Sequence, residues 1–351
     1  MTAARRRPVV LATVALTLWA HPAASQSSSD RWFKGNTHTH TLNSDGDSSP
    51  EDVVRWYSTR GYHFTFVTDH EFITDVAPLN RTFGAAGRFL VISGQEVTQR
   101  IADPARPGEV LEPHLIALGV TRVIRPLGDR NIAPPPIAAA YARNISEIKG
   151  AGGVPQVNHP NFRWSVRLDD MLDLPDSTLF ELWNGHPAVH NLGGTDSLGR
   201  SAPSTEAIWD SLLTRGKVMF GVADDDSHHF KAQDADNPEM TRPGRGWVMV
   251  RADTLTPDAI LGALRRGDFY SSTGVTLRRY DVSASDIHIE IAPSGDMRYR
   301  TDFIGSGGRL LATSTGHRAS YTISGNEGYV RVRIGDSLGR RAWMQPVMVR
   351  R

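Results

Sequence analysis

The stretch FTFVTDHE, residues 64–71, is a short apolar run that ends in two polar residues, Asp69 and His70. A run of β-branched and aromatic residues of this length predicts a buried strand. Strands that each end in a potential metal ligand bring those ligands together at one edge of a sheet or barrel. The same arrangement recurs along the chain, in RFLVISGQE (88–96), GGVPQVNHP (152–160) and KVMFGVADDDSHH (217–229).

The segment around HTH, residues 38–40, adds to this pattern. His38 and His40 lie two apart on a predicted strand, and alternate strand side chains share a face, so both imidazoles can bind one ion. Asp45, in NSDGDSSP, is either a ligand or a turn residue before the next helix. The candidate metal ligands are His38, His40, Asp45, His70, Glu96, His114, His159, Asp226 and His228.

Each of these residues also has an ordinary structural interpretation. Glu96 is either a carboxylate that bridges two ions, which lie about 3.5–4 Å apart in two-metal hydrolases, or a solvated loop acid. His114 could cap or pack, and His159 could be a turn residue held by the following proline. Asp69 is expected to orient a neighbouring imidazole without binding the ion itself. Nearly all of the nine lie at the ends of apolar runs, and their joint occurrence in this order favours the metal site.

Strands alternate with helix-like segments from Trp32 onward, which is typical of parallel β/α units. About seven such units fit between residues 32 and 275. PEDVVRWY, residues 50–57, follows Ser48 or Ser49 as N-cap and begins with proline and acids, which predicts a helix that ends at Gly61. The remaining residues alternate polar and apolar side chains between turns, which predicts a small antiparallel β-domain at 276–351.

The first 25 residues have the layout of a secretory signal peptide. Arg5 to Arg7 precede the twelve-residue apolar run Val9–Ala20, and small residues follow up to Ser25. A retained anchor is the alternative, but the run is shorter than the ~20 residues that span a bilayer. We therefore expect a leader at 1–25, a linker at 26–31 and an exported protein, periplasmic or secreted, with no integral membrane segment after cleavage.

Composition restricts the chemistry. The chain has no cysteine, which excludes disulfides, thiolate metal sites and cysteine nucleophiles. The formal charge is +1, and removal of a leader with three arginines and no acids leaves −2, so stable binding of duplex DNA is not expected. Any metal must be held by imidazole and carboxylate, which suits Zn, Mn or Fe. The sequence leaves the oligomeric state open.

The motif series HTH, SDG, TDH, GQE, H, NHP and DDSH resembles the polymerase and histidinol phosphatase (PHP) superfamily, and most closely its exported branch. The resemblance covers residues 32 to 274 and implies a distorted (β/α)7 barrel with two to three divalent ions. It implies that His38, His40, Glu96 and Asp226 hold one ion, that Glu96 bridges to a second ion, and that Asp45 helps to hold a third. The second ion would be completed by His114 and His159, and the third by His70 and His228.

The first functional hypothesis is a metal-dependent phosphoesterase that hydrolyses phosphomonoesters or nucleotides through a metal-bound hydroxide. Bound divalent ions lower the pKa of water towards 7 and neutralise phosphoryl charge. A 5′–3′ exonuclease acting on short oligonucleotides is a close alternative, so the expected partner is a small phosphorylated substrate or a short nucleic acid. Residues considered for the pocket rim, each also interpretable as a surface charge, are Arg163, Arg167, His186 and Lys231.

Two other classes of protein remain open. A metal-dependent hydrolase of a non-phosphate bond, of the amidohydrolase kind, uses similar ligands. A metal-stabilised envelope binding module would dock a partner through its β-domain and would not need all nine ligands. Residues considered for stacking in such a module, each also interpretable as a core aromatic, are Trp164, Trp183, Trp209, Trp247 and Trp343.

Overall fold

The computed structural model describes residues 31–176, 178–232 and 237–349. The predicted leader, and all of the predicted linker except Arg31, lie outside the described residues. No helix in the described ranges is long and apolar enough to cross a membrane.

The described chain forms α-helices and strands in a mixed order. The helices are α1 (Pro50–Ser58), α2 (Ala77–Phe83), α3 (Ile137–Gly150), α4 (Thr205–Thr214) and α5 (Pro257–Arg266). The strands up to residue 272 are β1 (Arg31–Asn36), β2 (Phe64–Val67), β3 (Leu90–Thr98), β4 (Ile101–Ala102), β5 (Val110–Leu111), β6 (His114–Leu118), β7 (Val154–Val157), β8 (Leu179–Asn184), β9 (Gly194–Thr195), β10 (Ser201–Ala202), β11 (Phe220–Asp224), β12 (Trp247–Ala252) and β13 (Phe269–Ser272). The later strands are β14 (Leu277–Val282), β15 (Asp286–Ile291), β16 (Tyr299–Gly305), β17 (Arg309–Thr315), β18 (Arg318–Thr322), β19 (Tyr329–Asp336) and β20 (Arg341–Met348).

The apolar run at residues 64–67 forms the predicted buried strand, β2. All four residues of β2 are buried, and Phe64 and Phe66 pack in one core cluster with Ile116, Val222 and Val250. Both faces of the strand are therefore covered. β2 ends at Val67, and Asp69 and His70 follow it after one further residue, Thr68.

Helix α1 begins where the sequence predicts it and contacts the segment that follows β11. Ser49 caps the helix by accepting a hydrogen bond from the Asp52 N–H, and Pro50 occupies the first turn, as predicted. The helix ends at Ser58, three residues before the predicted end at Gly61. Its buried face carries Tyr57, whose hydroxyl lies 2.8 Å from Asp225 Oδ2 and 2.9 Å from Ser227 Oγ. The helix thus supports the segment that follows β11.

The main sheet has 13 strands in the order β11-β8-β7-β6-β3-β2-β1-β12-β13-β20-β19-β16-β17. Strands β1, β2 and β3 are parallel, and so are β7, β8 and β11. The expected uninterrupted parallel series is wrong at β6, which pairs antiparallel with both β3 and β7. The connection at residues 99–113 contains the short β4–β5 hairpin and no crossover helix, so the chain returns in the opposite direction.

The two ends of the α/β part approach each other. Thr39 forms a parallel bridge with Ser227, and the His40 N–H donates to the Ser227 carbonyl at 3.0 Å. On the edge of β11 that does not pair with β8, Ser271 Oγ accepts a hydrogen bond from the Ala223 N–H and donates one to the Gly221 carbonyl. These contacts bring the ends of β1 and β11 together, although a closed seven-fold barrel stays a prediction.

The C-terminal residues form the predicted antiparallel strands. Strands β14, β15 and β18 make a separate small sheet. Strands β16, β17, β19 and β20 instead extend the main sheet through the antiparallel pairing of β13 with β20. The boundary at residues 275 and 276 stays a prediction, because hydrogen bonds of the main sheet continue across it.

Candidate metal centre

The structure brings all nine predicted ligands to one edge of the sheet. They follow β1, β2, β7 and β11 in the chain, or stand near the end of β3. His114 is the exception, because it begins a strand rather than following one. Since β6 runs antiparallel to its neighbours, its first residue lies at the edge where their last residues lie.

The first group of donors is fully enclosed and consists of His38, His40, Glu96 and Asp226. His38 Nε2 lies 3.1 Å from His40 Nε2, 3.0 Å from Glu96 Oε2 and 3.2 Å from Asp226 Oδ1. His40 Nε2 lies 3.1 Å from the same glutamate oxygen and 3.3 Å from the same aspartate oxygen. Donor atoms bound to one ion at about 2.0–2.2 Å lie roughly 3.0–3.6 Å apart, so this spacing fits a single cation.

The second group shares Glu96 with the first and adds two imidazoles. Glu96 Oε1 lies 2.9 Å from His114 Nδ1 and 3.2 Å from His159 Nε2. The same oxygen accepts a hydrogen bond from Asn158 Nδ2 at 2.8 Å. His114 Nε2 is buried without a hydrogen-bond partner among the described residues. One carboxylate oxygen of Glu96 therefore faces each group, which is the arrangement of a bridging ligand.

The third group lies closer to solvent and consists of His40, Asp45, His70 and His228. Asp45 Oδ1 lies 3.3 Å from His40 Nδ1 and 3.4 Å from His228 Nε2, and its Oδ2 lies 3.5 Å from His70 Nε2. The Asp45 side chain is 52% exposed, against 0% for His40. Solvent therefore reaches the centre from the side of Asp45.

The charges of the centre call for a cation. Burial opposes protonation of His38, but Asp226 and Glu96 outweigh it and raise its pKa well above the usual range. The same balance of burial against Asp226 and Glu96 raises the pKa of His40 to about 10. The pKa of Glu96 is held well below its usual value, because His38, His70 and His114 outweigh the effect of burial. The residues therefore fit divalent cations, which would take the place of these protons.

Metal binding is consequently expected to release protons. Below their raised pKa values His38 and His40 are protonated in the metal-free protein, and a metal binds only the neutral imidazole. Titration of metal-free protein with Mn²⁺ or Zn²⁺ at pH 7 should release protons, and affinity should rise as the pH is raised from 6 towards 10. Calorimetry in two buffers of different ionisation enthalpy measures the release. A heat that is independent of the buffer would contradict this.

Asp69, expected to orient a neighbouring imidazole, instead contacts backbone and hydroxyl groups beside the centre. It accepts hydrogen bonds from the Thr41 N–H at 2.7 Å, from Ser44 Oγ at 2.8 Å and from Thr74 Oγ1 at 2.6 Å. It lies in none of the donor groups. Its contacts hold the loop that leads from His40 to Asp45, so it acts on the ligands through the backbone. A direct catalytic role for Asp69 stays untested.

Glu181 belongs to the centre although the local sequence did not predict it. It is fully buried, and its Oε1 lies 2.8 Å from His38 Nδ1. Its Oε2 accepts hydrogen bonds from the His159 N–H at 2.5 Å and from Asn184 Nδ2 at 2.9 Å. Asn184 in turn donates to Asp226 Oδ2 at 3.0 Å. One carboxylate thus orients three ligands that belong to two donor groups.

Substitution of Glu181 is expected to weaken metal binding. Gln has nearly the same volume, but with its oxygen accepting from His38 its amide N–H groups face the His159 N–H and Asn184 Nδ2, two donors. E181Q should therefore lower the affinity for the first two ions about 10- to 100-fold. Equilibrium dialysis with element analysis measures this. E147Q, on the surface of α3, is the control, and an equal loss there would contradict the proposed orientation.

The other residues considered for the site have different surroundings. His229 Nδ1 is 2.9 Å from Thr241 Oγ1 and belongs to no donor group. Arg163 pairs with Glu112, and Arg167 and Lys231 are exposed. His186 lies beside the centre, with its ring 5.9 Å from that of His228. Of the four rim candidates, only His186 has a ring contact with a candidate ligand.

The tryptophans do not form one stacking surface. Trp209 and Trp343 are fully buried, and Trp183 stacks on Trp343 at 5.8 Å. The Trp247 ring is covered by Lys34 Nζ at 3.8 Å. Trp164 is half-buried and stacks on His190 at 4.6 Å. Their positions agree with the core interpretation more than with a docking face for an envelope partner.

Comparison with known proteins gives distant similarities. No protein-family model matches the chain, and no curated protein matches it. Among solved structures it is similar to a two-domain protein from Bacteroides vulgatus that contains a predicted PHP-like metal-dependent phosphoesterase. The sequence identity is 15%, the match covers 87% of this chain and 90% of that chain, and the TM-score is 0.48.

Two further solved structures represent other activities. One is a lesion-specific endonuclease from Pyrococcus furiosus, at 11% identity over 68% of this chain and 56% of that chain, with a TM-score of 0.35. The other is an amidohydrolase from Chromobacterium violaceum, at 15% identity over 59% of this chain and 90% of that chain, with a TM-score of 0.35. The expected resemblance to PHP-like phosphoesterases is confirmed as a similarity. Membership of an exported branch stays a prediction.

Proposed function

We propose that the chain is a metal-dependent phosphoesterase that hydrolyses phosphomonoesters or nucleotides. The proposal rests on the position of Glu96, whose two carboxylate oxygens face two adjacent groups of buried imidazoles. Two cations that share a carboxylate suit the displacement of an oxygen at phosphorus, because they stabilise both the attacking and the leaving oxygen. Bound in these groups, divalent ions would supply an activated water and neutralise phosphoryl charge.

The side chains of the centre determine how a substrate approaches. The first group is enclosed, with side chains at most 6% exposed. The third group opens to solvent, with Asp45 52%, His70 22% and His228 14% exposed. A substrate phosphoryl group therefore approaches over Asp45, His70 and His228, while Glu96 and Asp226 hold the floor of the site. Glu181 and Asn184 keep that floor rigid from below.

The finer parts of the proposal concern the ions, the barrel and the location. Three donor groups that share Glu96 and His40 support two to three ions, and imidazole–carboxylate donors support Zn, Mn or Fe. The contact between the ends of β1 and β11 supports a distorted (β/α)7 barrel. The apolar run at residues 9–20 supports export to the periplasm or beyond the cell. Fractionation of cells that express the full chain tests the last of these.

The function is tested by metal analysis together with a panel of phosphoesters. The panel contains p-nitrophenyl phosphate, bis-p-nitrophenyl phosphate, mononucleotides and short oligonucleotides, each with added Mn²⁺ or Zn²⁺. We expect two to three ions per chain, phosphate release that a chelator abolishes, and recovery on adding metal back. Preference for an oligonucleotide would indicate the exonuclease. Bound metal without turnover of any phosphoester would overturn the proposal and favour a non-phosphate hydrolase or a binding module.

A further inference from the structure

A cavity of about 440 Å³ lies where helix α4 meets the C-terminal strands of the main sheet. The first residues of α4 line one side of it, and side chains of β16, β19 and β20 line the other. The cavity shares no residue with the three donor groups of the metal centre. Its volume lies in the range of cavities that bind small molecules.

The charged side chains around this cavity carry an excess of one positive charge. Four arginines and three acids line it, namely Arg300, Arg331, Arg333, Arg341, Glu206, Asp210 and Asp302. Asp302 is shared between two of the arginines, since its oxygens lie 2.8 Å from Arg300 Nε and 2.9 Å from Arg333 Nη2. A surplus of guanidinium groups at the wall of a cavity attracts an anion into it.

Glu206 shows where the positive charge is least compensated. Its Oε1 lies 3.3 Å from Arg341 Nη1, and its Oε2 lies 3.3 Å from Arg333 Nη1 and 3.4 Å from Arg331 Nη2. Strong hydrogen bonds between a guanidinium and a carboxylate have N···O distances of about 2.7–2.9 Å. One carboxylate is therefore surrounded by three guanidinium groups and holds none of them closely. These groups retain the capacity to bind a second anion.

Arg331 is the most enclosed of these arginines. Its side chain is 2% exposed, and its Nε and Nη2 each donate to Asp210 at 2.7 Å. Its Nη1 is buried and has no hydrogen-bond partner among the described residues. A buried N–H group without an acceptor is unfavourable, because it has lost its water without gaining another bond. An anion in the cavity would supply the missing acceptor.

The α4 side of the cavity is held in place and adds to its positive potential. Ser204 caps the helix by accepting a hydrogen bond from the Ala207 N–H at 3.2 Å. Thr205 Oγ1 donates to the Leu182 carbonyl at 2.7 Å, which joins the start of α4 to β8. All four residues line the cavity. The N-terminus of a helix carries a partial positive charge, so it favours the same kind of ligand as the arginines.

We propose that this cavity binds a small anion, whose phosphate, sulfate or carboxylate group is held by Arg331, Arg333 and Arg341. The planar guanidinium groups match the oxygens of such groups. Bound there, the anion contacts both α4 and the strands β19 and β20, and so links the α/β part of the chain to its C-terminal strands. The site is separate from the metal centre, and the inference does not depend on the proposed function.

The test is a calorimetric titration of the metal-loaded protein with sulfate and with succinate, at an ionic strength held constant with sodium chloride. We expect the wild type to bind at least one of the two anions, and R333Q and R341Q to bind it about tenfold more weakly or less tightly still. The side chains of Arg333 and Arg341 are 37% and 33% exposed, so both variants should fold. The anion that binds more tightly shows whether a tetrahedral group or a carboxylate is preferred.

Two further variants distinguish an anion site from ion pairs that only hold the strands to α4. R340Q is the matched control and should bind the anion like the wild type, because Arg340 is also 33% exposed but pairs with Asp336 outside the cavity. E206Q removes the competing carboxylate and should bind the anion about threefold more tightly or better.

The remaining outcomes would overturn the proposal. Absence of binding of either anion to the wild type would show that the cavity is not an anion site. Equal affinity in the wild type, R333Q and R341Q would place any bound anion elsewhere, such as at the metal centre. Weaker or unchanged binding in folded E206Q would show that the arginines serve only to hold α4. Circular dichroism of each variant establishes that it is folded.

Discussion

Replacement of Glu96 by alanine is expected to lower phosphoesterase activity by at least about 10³-fold and to reduce the metal bound per chain. Its two carboxylate oxygens lie within 3.2 Å of imidazole nitrogens of His38, His40, His114 and His159. The alanine variant leaves these nitrogens without the anion that they share. Steady-state kinetics with p-nitrophenyl phosphate and element analysis of the purified protein measure the two effects.

Two further variants separate the chemistry from a general loss of structure. E96Q has nearly the same side-chain volume but no negative charge, so it should fold like the wild type and still lose activity. H229A removes a histidine that contacts Thr241 and lies in no donor group, and should change kcat/KM by less than about threefold. Similar losses in H229A and E96A would mean that the ligands after β11 have been misassigned.

Breaking the buried pair of Arg331 and Asp210 is expected to lower the free energy of unfolding by about 3–5 kcal/mol. Arg331 on β19 donates from Nε and Nη2 to the two oxygens of Asp210 on α4, both at 2.7 Å. Tyr329 also donates to Asp210, at 2.6 Å. The Arg331 side chain is 2% exposed, so D210A leaves a cation in the interior without its main partner. Urea unfolding at a fixed metal concentration measures the change.

Two other variants serve as comparisons for D210A. One breaks an exposed ion pair, and the other removes both charges of the buried pair. R278A breaks a surface pair with Glu290, in which the arginine side chain is 63% exposed, and should cost no more than about 0.5 kcal/mol. The double variant D210L/R331M removes both charges and should recover most of the loss from D210A. A cost for D210A as small as that for R278A would show that water reaches the pair, and that the C-terminal strands are held to α4 by other contacts.

Local sequence was sufficient for much of the architecture. The cap at Ser49 and the proline at Pro50 predicted α1, because a helix begins where a side chain can satisfy its first N–H groups. The apolar run of β2 predicted a strand buried on both sides. The direction of β6 could not be predicted in the same way. Nothing in the sequence HLIAL indicates which way the strand runs relative to its neighbours. The direction depends on its pairing with β3 and β7.

Glu181 shows why part of the centre could not be predicted. In FELWN it is the one acidic residue of a buried strand, and no other candidate ligand lies near it in the sequence. Its partner His38 is 143 residues away in the chain. Arg331 and Asp210 are separated by 121 residues, and β19 was expected in a small β-domain rather than in the main sheet. Contacts over such separations have no local pattern, because they depend on which strands lie side by side.

By itself the sequence determined the chemical character of the protein: nine histidines and acids, most of them after apolar runs that form buried strands, and no cysteine. Strand and helix periodicity are local properties, and so is the choice of residues that can bind a metal. The tertiary structure alone decided how the nine ligands divide into three groups around Glu96 and His40, and which buried carboxylate supports them. These are distances between remote segments, and only the packing of the strands sets them.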